Sequence, residues 1–124
     1  MTAWPSNLHL GETKERMLPQ GRPTMQDIAW AAGVYEGEGH VRAKGTNIIY
    51  VSQKDPWLPE RLKYLFGGSI ITYNGVWMKN GVPNKQYRWQ ASGTIARGFL
   101  YTIFTFLSPR RREQVRSALC QTQK

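Results

Sequence analysis

Two carboxylates lie in a short glycine-rich stretch of an otherwise basic chain, Ala31-Ala32-Gly33-Val34-Tyr35-Glu36-Gly37-Glu38-Gly39. Glu36 and Glu38 fall at the expected end of a helix, where the helix dipole disfavours acids by roughly 0.3–1 kcal/mol each. A helix that simply ends at glycine is one explanation of this pattern. The other is that the acids bind a divalent cation, because carboxylate and carbonyl oxygens are the usual ligands of Mg²⁺.

The same predicted helix carries small residues at every fourth position, namely Ala29, Gly33 and Gly37. This spacing allows the backbone of another helix to approach closely. If a second copy of the chain packs there, two acidic helix ends converge and need a cation or a raised pKa. Mg²⁺ acting on a phosphodiester fits a basic protein, because the metal can activate water and stabilise the leaving oxygen. We therefore predict a dimer interface at Ala29, Ala32, Gly33 and Glu36.

The charge balance favours a polyanionic partner, with nucleic acid as the leading candidate. The chain has 124 residues, with 17 Lys and Arg against 8 Asp and Glu, and a formal net charge of +9. After Glu38 the only acids are Asp55, Glu60 and Glu113, so the excess charge belongs to the expected folded body. The single Cys120 favours a reducing, intracellular compartment. No apolar run approaches the ~20 residues of a membrane span, so we expect a soluble protein without a membrane partner.

The elements that must position these residues follow from periodicity and from glycine and proline. Residues 1–23 read as an arm or a disordered leader, and residues 24–124 as one domain. In the domain we predict helix 25–36, strands 40–44 and 46–53, helix 56–66, strands 69–73 and 85–91, helix 94–107 and a last helix from Pro109. The predicted fold is α+β, in the order αββαββαα. An antiparallel sheet would have one face covered by helices and one open.

Side-chain alternation predicts what the open face contains. In the strand 85–91, Gln86, Arg88 and Gln90 fall on one face, and Tyr87, Trp89 and Ala91 fall on the other. For a single strand, a plain solvated face explains this alternation. A second strand, His40-Val41-Arg42, alternates in the same way, and in a basic chain this favours a face that binds nucleic acid. Tyr73, Trp77, Tyr87 and Trp89 are expected to pack in the core or in loops. The residues predicted to contact DNA are His40, Arg42, Lys44, Thr46, Ile48, Tyr50, Ser52, Lys54, Thr72, Asn74, Gln86, Arg88, Gln90 and Arg112.

The glycine-rich stretch resembles the LAGLIDADG motif of homing endonucleases, with Gly33, Glu36, Gly37, Glu38 and Gly39 in the pattern. The resemblance extends from Met25 to Leu119 and includes the blocks 51–54, 62–68, 87–93 and 111–114. It implies the LAGLIDADG-type αββαββα(α) fold, in which a saddle-shaped antiparallel sheet carries helices on one face.

The resemblance also implies roles for individual residues. Glu38 would bind the catalytic metal, Mg²⁺ or another divalent cation such as Mn²⁺, with help from the Gly37 carbonyl. Gln53 would orient water near the scissile phosphate, and Arg111 or Arg110 would stabilise developing charge.

The chain departs from the family at three positions and has one copy of the motif. Ala31 stands where Leu is usual, Glu38 stands where Asp is usual, and Trp57 occupies the region of a further basic residue. Single-motif members act as homodimers on double-stranded sites of approximate two-fold symmetry. The resemblance thus implies a homodimeric, site-specific, double-stranded DNA endonuclease.

Two other functions remain open from the sequence. A protein of the same fold that binds DNA or RNA without cutting, such as an intron maturase or a regulator, would show salt-dependent binding with no cleavage. An unrelated basic RNA-binding domain would instead use Tyr and Trp side chains to stack on bases and would stay monomeric.

Overall fold

A computed structural model describes residues 18–42, 48–79 and 82–121 of the chain. In this part of the chain, four helices and four strands follow the predicted order αββαββαα. The helices are α1 (Met25–Glu38), α2 (Trp57–Phe66), α3 (Gly93–Ile103) and α4 (Pro109–Gln121), with a 3-10 turn (Phe104–Phe106) after α3. The strands are β1 (His40–Arg42), β2 (Ile48–Gln53), β3 (Ser69–Lys79) and β4 (Val82–Ser92).

The strands form a single antiparallel sheet in the order β1-β2-β4-β3, which confirms the α+β prediction. Strand β4 lies between β2 and β3, and its Arg88 pairs with Ser52 on one side and Ile71 on the other. Residues 87–90 of this strand therefore have neighbours on both sides. Side chains of β4 consequently occupy the middle of each sheet face.

Several element boundaries differ from the predictions. Helix α1 continues through Gly37 to Glu38, and it ends at Gly39, whose N–H donates to the Tyr35 carbonyl at 2.9 Å. The predicted loop between the last two strands is largely paired backbone, because β3 reaches Lys79 and β4 begins at Val82. Backbone pairing in a hairpin can continue to the turn where the sequence shows no apolar alternation, which is why the prediction stopped short.

The hydrophobic core lies between one face of the sheet and the helices. Phe99 of α3 makes edge-to-face contacts with Tyr35, Phe66 and Trp89, at centroid distances of 6.1, 5.0 and 5.0 Å. Such aromatic contacts contribute about 0.5–1.5 kcal/mol each beyond the area they bury. The sheet contributes buried side chains that alternate along the strands, namely Ile49, Val51, Ile70, Trp89 and Ala91.

A glycine turn connects α2 to the sheet beneath Trp89. The Trp89 indole N–H donates to the Gly67 carbonyl at 2.8 Å, which satisfies a fully buried polar group. Gly68 has φ +97°, and a Cβ there would lie 2.7 Å from the Gln90 carbonyl oxygen. Both the backbone conformation and the lack of space require glycine at this position.

The first described residues pack beside α2 before α1 begins. The N–H groups of Gln20 and Gly21 both donate to the Tyr64 carbonyl at 2.9 Å. Helix α1 then begins with reciprocal capping, in which Thr24 Oγ1 accepts from the Asp27 N–H at 3.1 Å and Asp27 accepts from the Thr24 N–H at 2.9 Å. Residues 1–17 of the predicted arm lie outside the described residues. Among the described helices, none is both long and apolar enough to cross a bilayer.

Candidate functional site

The acidic end of α1 presents Glu38 to solvent. Glu38 is the last residue of the helix and is exposed, as is Gly37 before it. Within the described part of the chain, no hydrogen bond or ion pair engages the Glu38 carboxylate. Only Gly39 separates Glu38 from His40 at the start of β1, which places the two Cα atoms within about 7 Å of each other. The free carboxylate therefore adjoins the edge strand of the sheet.

Glu36 has a different environment, because it binds the start of α4. Its carboxylate accepts from the Ser108 N–H at 2.9 Å and from the Ser108 hydroxyl at 2.7 Å. Ser108 Oγ in turn accepts from the Arg111 N–H at 3.2 Å, which satisfies a free N–H in the first turn of α4. The carboxylate of Glu36, which the sequence predicted at a dimer interface, is therefore bound within the chain.

The side chain of Arg111 extends from α4 to the end of α1. Its guanidinium donates to the Glu36 carbonyl through Nε and Nη2 at 3.2 and 3.1 Å, and to the Gly39 carbonyl through Nη2 at 3.0 Å. Nη1 donates to Gln114 Oε1 at 2.7 Å. A cation at a helix C-terminus interacts favourably with the helix dipole and satisfies carbonyls that have no partner within the helix. We call Glu36, Ser108 and Arg111 the α1–α4 clasp.

The clasp changes the role expected for Arg111. This residue is only 8% exposed, and four donor contacts of its guanidinium go to protein atoms, so the structure makes it a residue that holds Glu38 in place. Arg110, the other candidate for phosphate stabilisation, is exposed. It lies close enough to the Glu36 carboxylate to lower its pKa.

Replacing Arg111 by Met is expected to destabilise the fold by about 3 kcal/mol, because the Glu36 and Gly39 carbonyls lose a charged donor in a largely buried setting. The free energy of unfolding from chemical denaturation measures this effect. Arg110→Met is the matched control, and as an exposed substitution it should cost less than about 0.5 kcal/mol. Equal losses in the two variants would show that the clasp does not hold the helices together.

The clasp also predicts a dependence of stability on pH. The pKa of Glu36 is lowered, first by the Ser108 N–H and then by the Ser108 hydroxyl, with Arg111 and Arg110 adding to the shift. A carboxylate with a lowered pKa in the folded state stabilises the fold above its ordinary value of 4.5, and this contribution is lost as pH falls through the folded-state pKa.

Glu36→Gln should therefore be less stable than the wild type at pH 7, by about 1 kcal/mol on the scale of a lost helix cap. The difference should shrink as the pH falls from 4.5 toward the lowered pKa of the folded state, where the folded wild-type carboxylate becomes protonated. Unfolding free energies measured at pH 7 and pH 3 test this result. A difference that stays constant between the two pH values would contradict it.

The small-residue stripe of α1 lies at the surface. Ala29, Gly33 and Gly37, which we call the α1 stripe, are all exposed. A Cβ added at Gly33 or Gly37 would meet nothing within 4 Å, so packing inside the chain does not require glycine at either position. Ala32 is 2% exposed and belongs to the core, which corrects its assignment to the dimer interface.

The sheet face away from the core is polar and basic, as the alternation predicted. Its side chains are exposed or half-buried, whereas their neighbours along each strand turn toward the helices. Together these residues carry no carboxylate. We define this open face by His40, Arg42, Ile48, Tyr50, Ser52, Ile71, Tyr73, Gln86, Arg88 and Gln90.

Tyr73 and Ile71 belong to this face although the sequence did not assign them to it. Tyr73 pairs with Gln86, and its hydroxyl donates to Ser52 Oγ at 3.3 Å, so its expected packing in the core or a loop was wrong. Tyr87 and Trp89 do face the core, as predicted. The alternation of β3 groups Ile71 with Tyr73, but which face of the sheet they occupy follows from the pairing of β3 with β4.

The other predicted contact residues lie elsewhere. Thr72 pairs with Tyr87 on the helix-covered face, which corrects its grouping with the open face. Gln53, at the end of β2, also pairs with Tyr87 and is half-buried on the same face. Lys54 follows it and is exposed. Asn74 pairs with Lys85 near the extended hairpin. Lys44 and Thr46 lie outside the described residues.

Two further positions complete the account of the predicted site. Arg112 lies on α4, where it donates to the Thr105 carbonyl at 3.0 Å, away from the sheet. Trp57, which stands in the region of a basic residue in the family, is 59% exposed and makes an edge-to-face contact with Trp30 at 5.9 Å. Within the described residues, no three His, Cys, Asp or Glu side chains come together.

Comparison with known proteins adds no relative. No protein-family model matches the chain, and no curated protein matches it. The resemblance to LAGLIDADG homing endonucleases therefore stays a prediction, based on the motif residues.

Proposed function

We propose that the protein is a metal-dependent, double-stranded DNA endonuclease of the LAGLIDADG type that acts as a homodimer. The observation that carries this proposal is the position of Glu38. A carboxylate that has no hydrogen bond or ion pair among the described residues ends a helix whose exposed stripe consists of small residues, and it adjoins the edge strand of a basic sheet face. This arrangement brings together the three parts that such an enzyme needs, namely a pairing surface, a metal ligand and a surface for DNA.

Pairing through the α1 stripe supports the catalytic role of Glu38. In a two-fold dimer the same surface of each copy meets itself, so α1 of one chain would pack against α1 of the other. Helices with small residues at every fourth position can approach closely. The Glu38 residues of the two copies would then lie near the two-fold axis, and each would serve one DNA strand.

The donor atoms at the end of α1 fit a hard divalent cation. The Glu38 carboxylate and the Gly37 carbonyl are oxygen ligands of the type that Mg²⁺ prefers. A bound Mg²⁺ would activate water and stabilise the leaving oxygen. The α1–α4 clasp fixes the backbone that carries both ligands, and the exposed Arg110 is available to approach a phosphate.

The open face supports DNA as the substrate. Arg42 and Arg88 provide cationic donors, and Gln86 and Gln90 can both donate to and accept from base edges. The residues that define the open face include no acid, so their charge favours a polyanion. A sheet with this composition can contact the major groove, as β-ribbons do in other DNA-binding proteins.

Cutting of a randomised double-stranded DNA library in Mg²⁺ tests the proposed function. We expect cut ends to accumulate at one family of sites in Mg²⁺ and not in a chelator. Salt-dependent retention of duplex DNA without cutting in Mg²⁺ or Mn²⁺ would contradict the proposed endonuclease activity and indicate a DNA-binding protein that does not cut. Failure to retain duplex DNA at low salt would contradict DNA as the partner.

A further inference from the structure

The most highly organised side chains of the open face surround Arg88. Its guanidinium lies over the Tyr50 ring at 4.2 Å and near the Tyr73 ring at 5.2 Å. Its Nε donates to Ser52 Oγ at 3.3 Å, and Ser52 Oγ also accepts from the Tyr73 hydroxyl at 3.3 Å. We call Tyr50, Ser52, Tyr73 and Arg88 the Arg88 cluster. Three strands contribute to it, so the sheet fixes where the guanidinium stands.

The contacts of Arg88 leave one edge of the guanidinium free. Nε is occupied by Ser52, whereas Nη1 and Nη2 have no hydrogen-bond partner among the described residues. No carboxylate pairs with Arg88 in the same part of the chain. Stacking on aromatic rings suits guanidinium, which is planar and more weakly hydrated than an ammonium group. The free edge therefore presents two N–H donors side by side in a fixed plane.

Only guanine offers the complementary pattern in the major groove. It presents two acceptors, O6 and N7, whereas adenine pairs an acceptor with a donor, thymine has one acceptor and cytosine has a donor. A phosphate could also accept two N–H groups. In the proposed complex, an inner strand such as β4 would lie over the base edges, and the rim of the sheet would lie over the phosphates.

We propose that Arg88 reads a guanine in the target, held for this purpose by Tyr50, Ser52 and Tyr73. The inference rests on the proposed function, because it requires the open face to meet duplex DNA. Two copies of the chain bring two Arg88 side chains, so each half-site contains one such guanine and the two positions are related by the two-fold axis. Arg88 is thus a specificity-determining residue, with the other members of its cluster as positioning residues.

The test selects bound duplexes from a randomised library in a chelator, so that the readout does not depend on cleavage. We expect a guanine at one position in each half-site for the wild type. Arg88→Lys should keep the charge but lose the planar two-donor edge and its stacking on Tyr50, so guanine preference at that position should fall. Arg88→Met should lose the same preference, and Ser52→Ala should weaken it. Arg97→Met, on helix α3, is the control and should leave the selected sequence unchanged.

Four results would overturn the inference. If the wild type selects duplexes without that guanine, or if Arg88→Met selects the same guanine as the wild type, Arg88 does not read it, although the proposed function stands. In a third result, Arg88→Met weakens the binding of all duplexes equally and lowers its salt dependence, with both restored in Arg88→Lys. That result would show that Arg88 contacts a phosphate. If the wild type selects no duplex, the proposed function fails together with the inference.

Discussion

Gly33→Leu is expected to give a chain that keeps its fold, no longer pairs and no longer cuts DNA. A side chain at Gly33 meets nothing within 4 Å in the single chain, and leucine is the better helix former by about 0.8 kcal/mol. In the proposed dimer, however, the added side chain would separate two closely packed helices. Overpacking of this kind typically costs 1–3 kcal/mol, so the dimer dissociation constant should rise by up to about 100-fold.

Sedimentation analysis over a range of concentrations measures the association, and circular dichroism checks the fold. Gly98→Leu is a matched control, because Gly98 is also an exposed helical glycine with no atom within 4 Å of a built Cβ. We expect Gly98→Leu to associate like the wild type. Equal association of all three proteins would show that the α1 stripe is not the pairing surface.

Glu38→Gln is expected to lower the rate of DNA cutting by about a thousandfold, which corresponds to ~4 kcal/mol of transition-state stabilisation. The amide has nearly the shape of the carboxylate but lacks the charge that binds a divalent cation. Duplex binding in a chelator should be retained, because the open face is unchanged. Single-turnover cleavage with Mg²⁺ at a selected site, beside the binding measurement, gives both quantities.

Glu60→Gln provides the comparison for this variant. Glu60 is an exposed glutamate in the first turn of α2, and its replacement makes the same chemical change away from the end of α1. The Glu60 variant should cut at the wild-type rate. If Glu38→Gln also cuts at that rate, Glu38 is not the metal ligand.

The sequence predicted the element order and the polar face of β4 for a definite physical reason. In a half-buried strand, polar and apolar side chains must alternate. The run Gln86-Tyr87-Arg88-Trp89-Gln90 follows that rule without ambiguity. The same rule did not place Tyr73 correctly, because the register of β3 with β4 depends on contacts between strands. Those contacts set which side of the sheet each residue of β3 occupies.

The α1–α4 clasp was beyond sequence reasoning for a related reason. Glu36 and Ser108 are separated by 72 positions, and nothing local connects them. Ser108 before Pro109 does carry the pattern of a helix N-cap, so this residue could have been singled out. Its partner Glu36 could not have been identified in this way. The third residue of α4, where an acid would usually complete the cap, is Arg111, and the acid comes from α1 instead.

Ala32 shows how far helical periodicity can be trusted. The four-residue spacing identified Ala29, Gly33 and Gly37 as one face, and the structure finds all three exposed. Ala32 lies three positions after Ala29, on the side of the helix that borders the core, and it is buried. Periodicity thus identified the α1 stripe. Which neighbouring residues are buried depends on how α1 is rotated against the rest of the fold.

Mapping the cut position on each strand of a selected duplex tests the paired endonuclease most directly, because it reports cutting and pairing together. We expect one cut on each strand, with the two cuts related by the two-fold axis of the target. Cuts in both strands with no two-fold relation, or a cut confined to one strand, would contradict a symmetric pair of Glu38 sites.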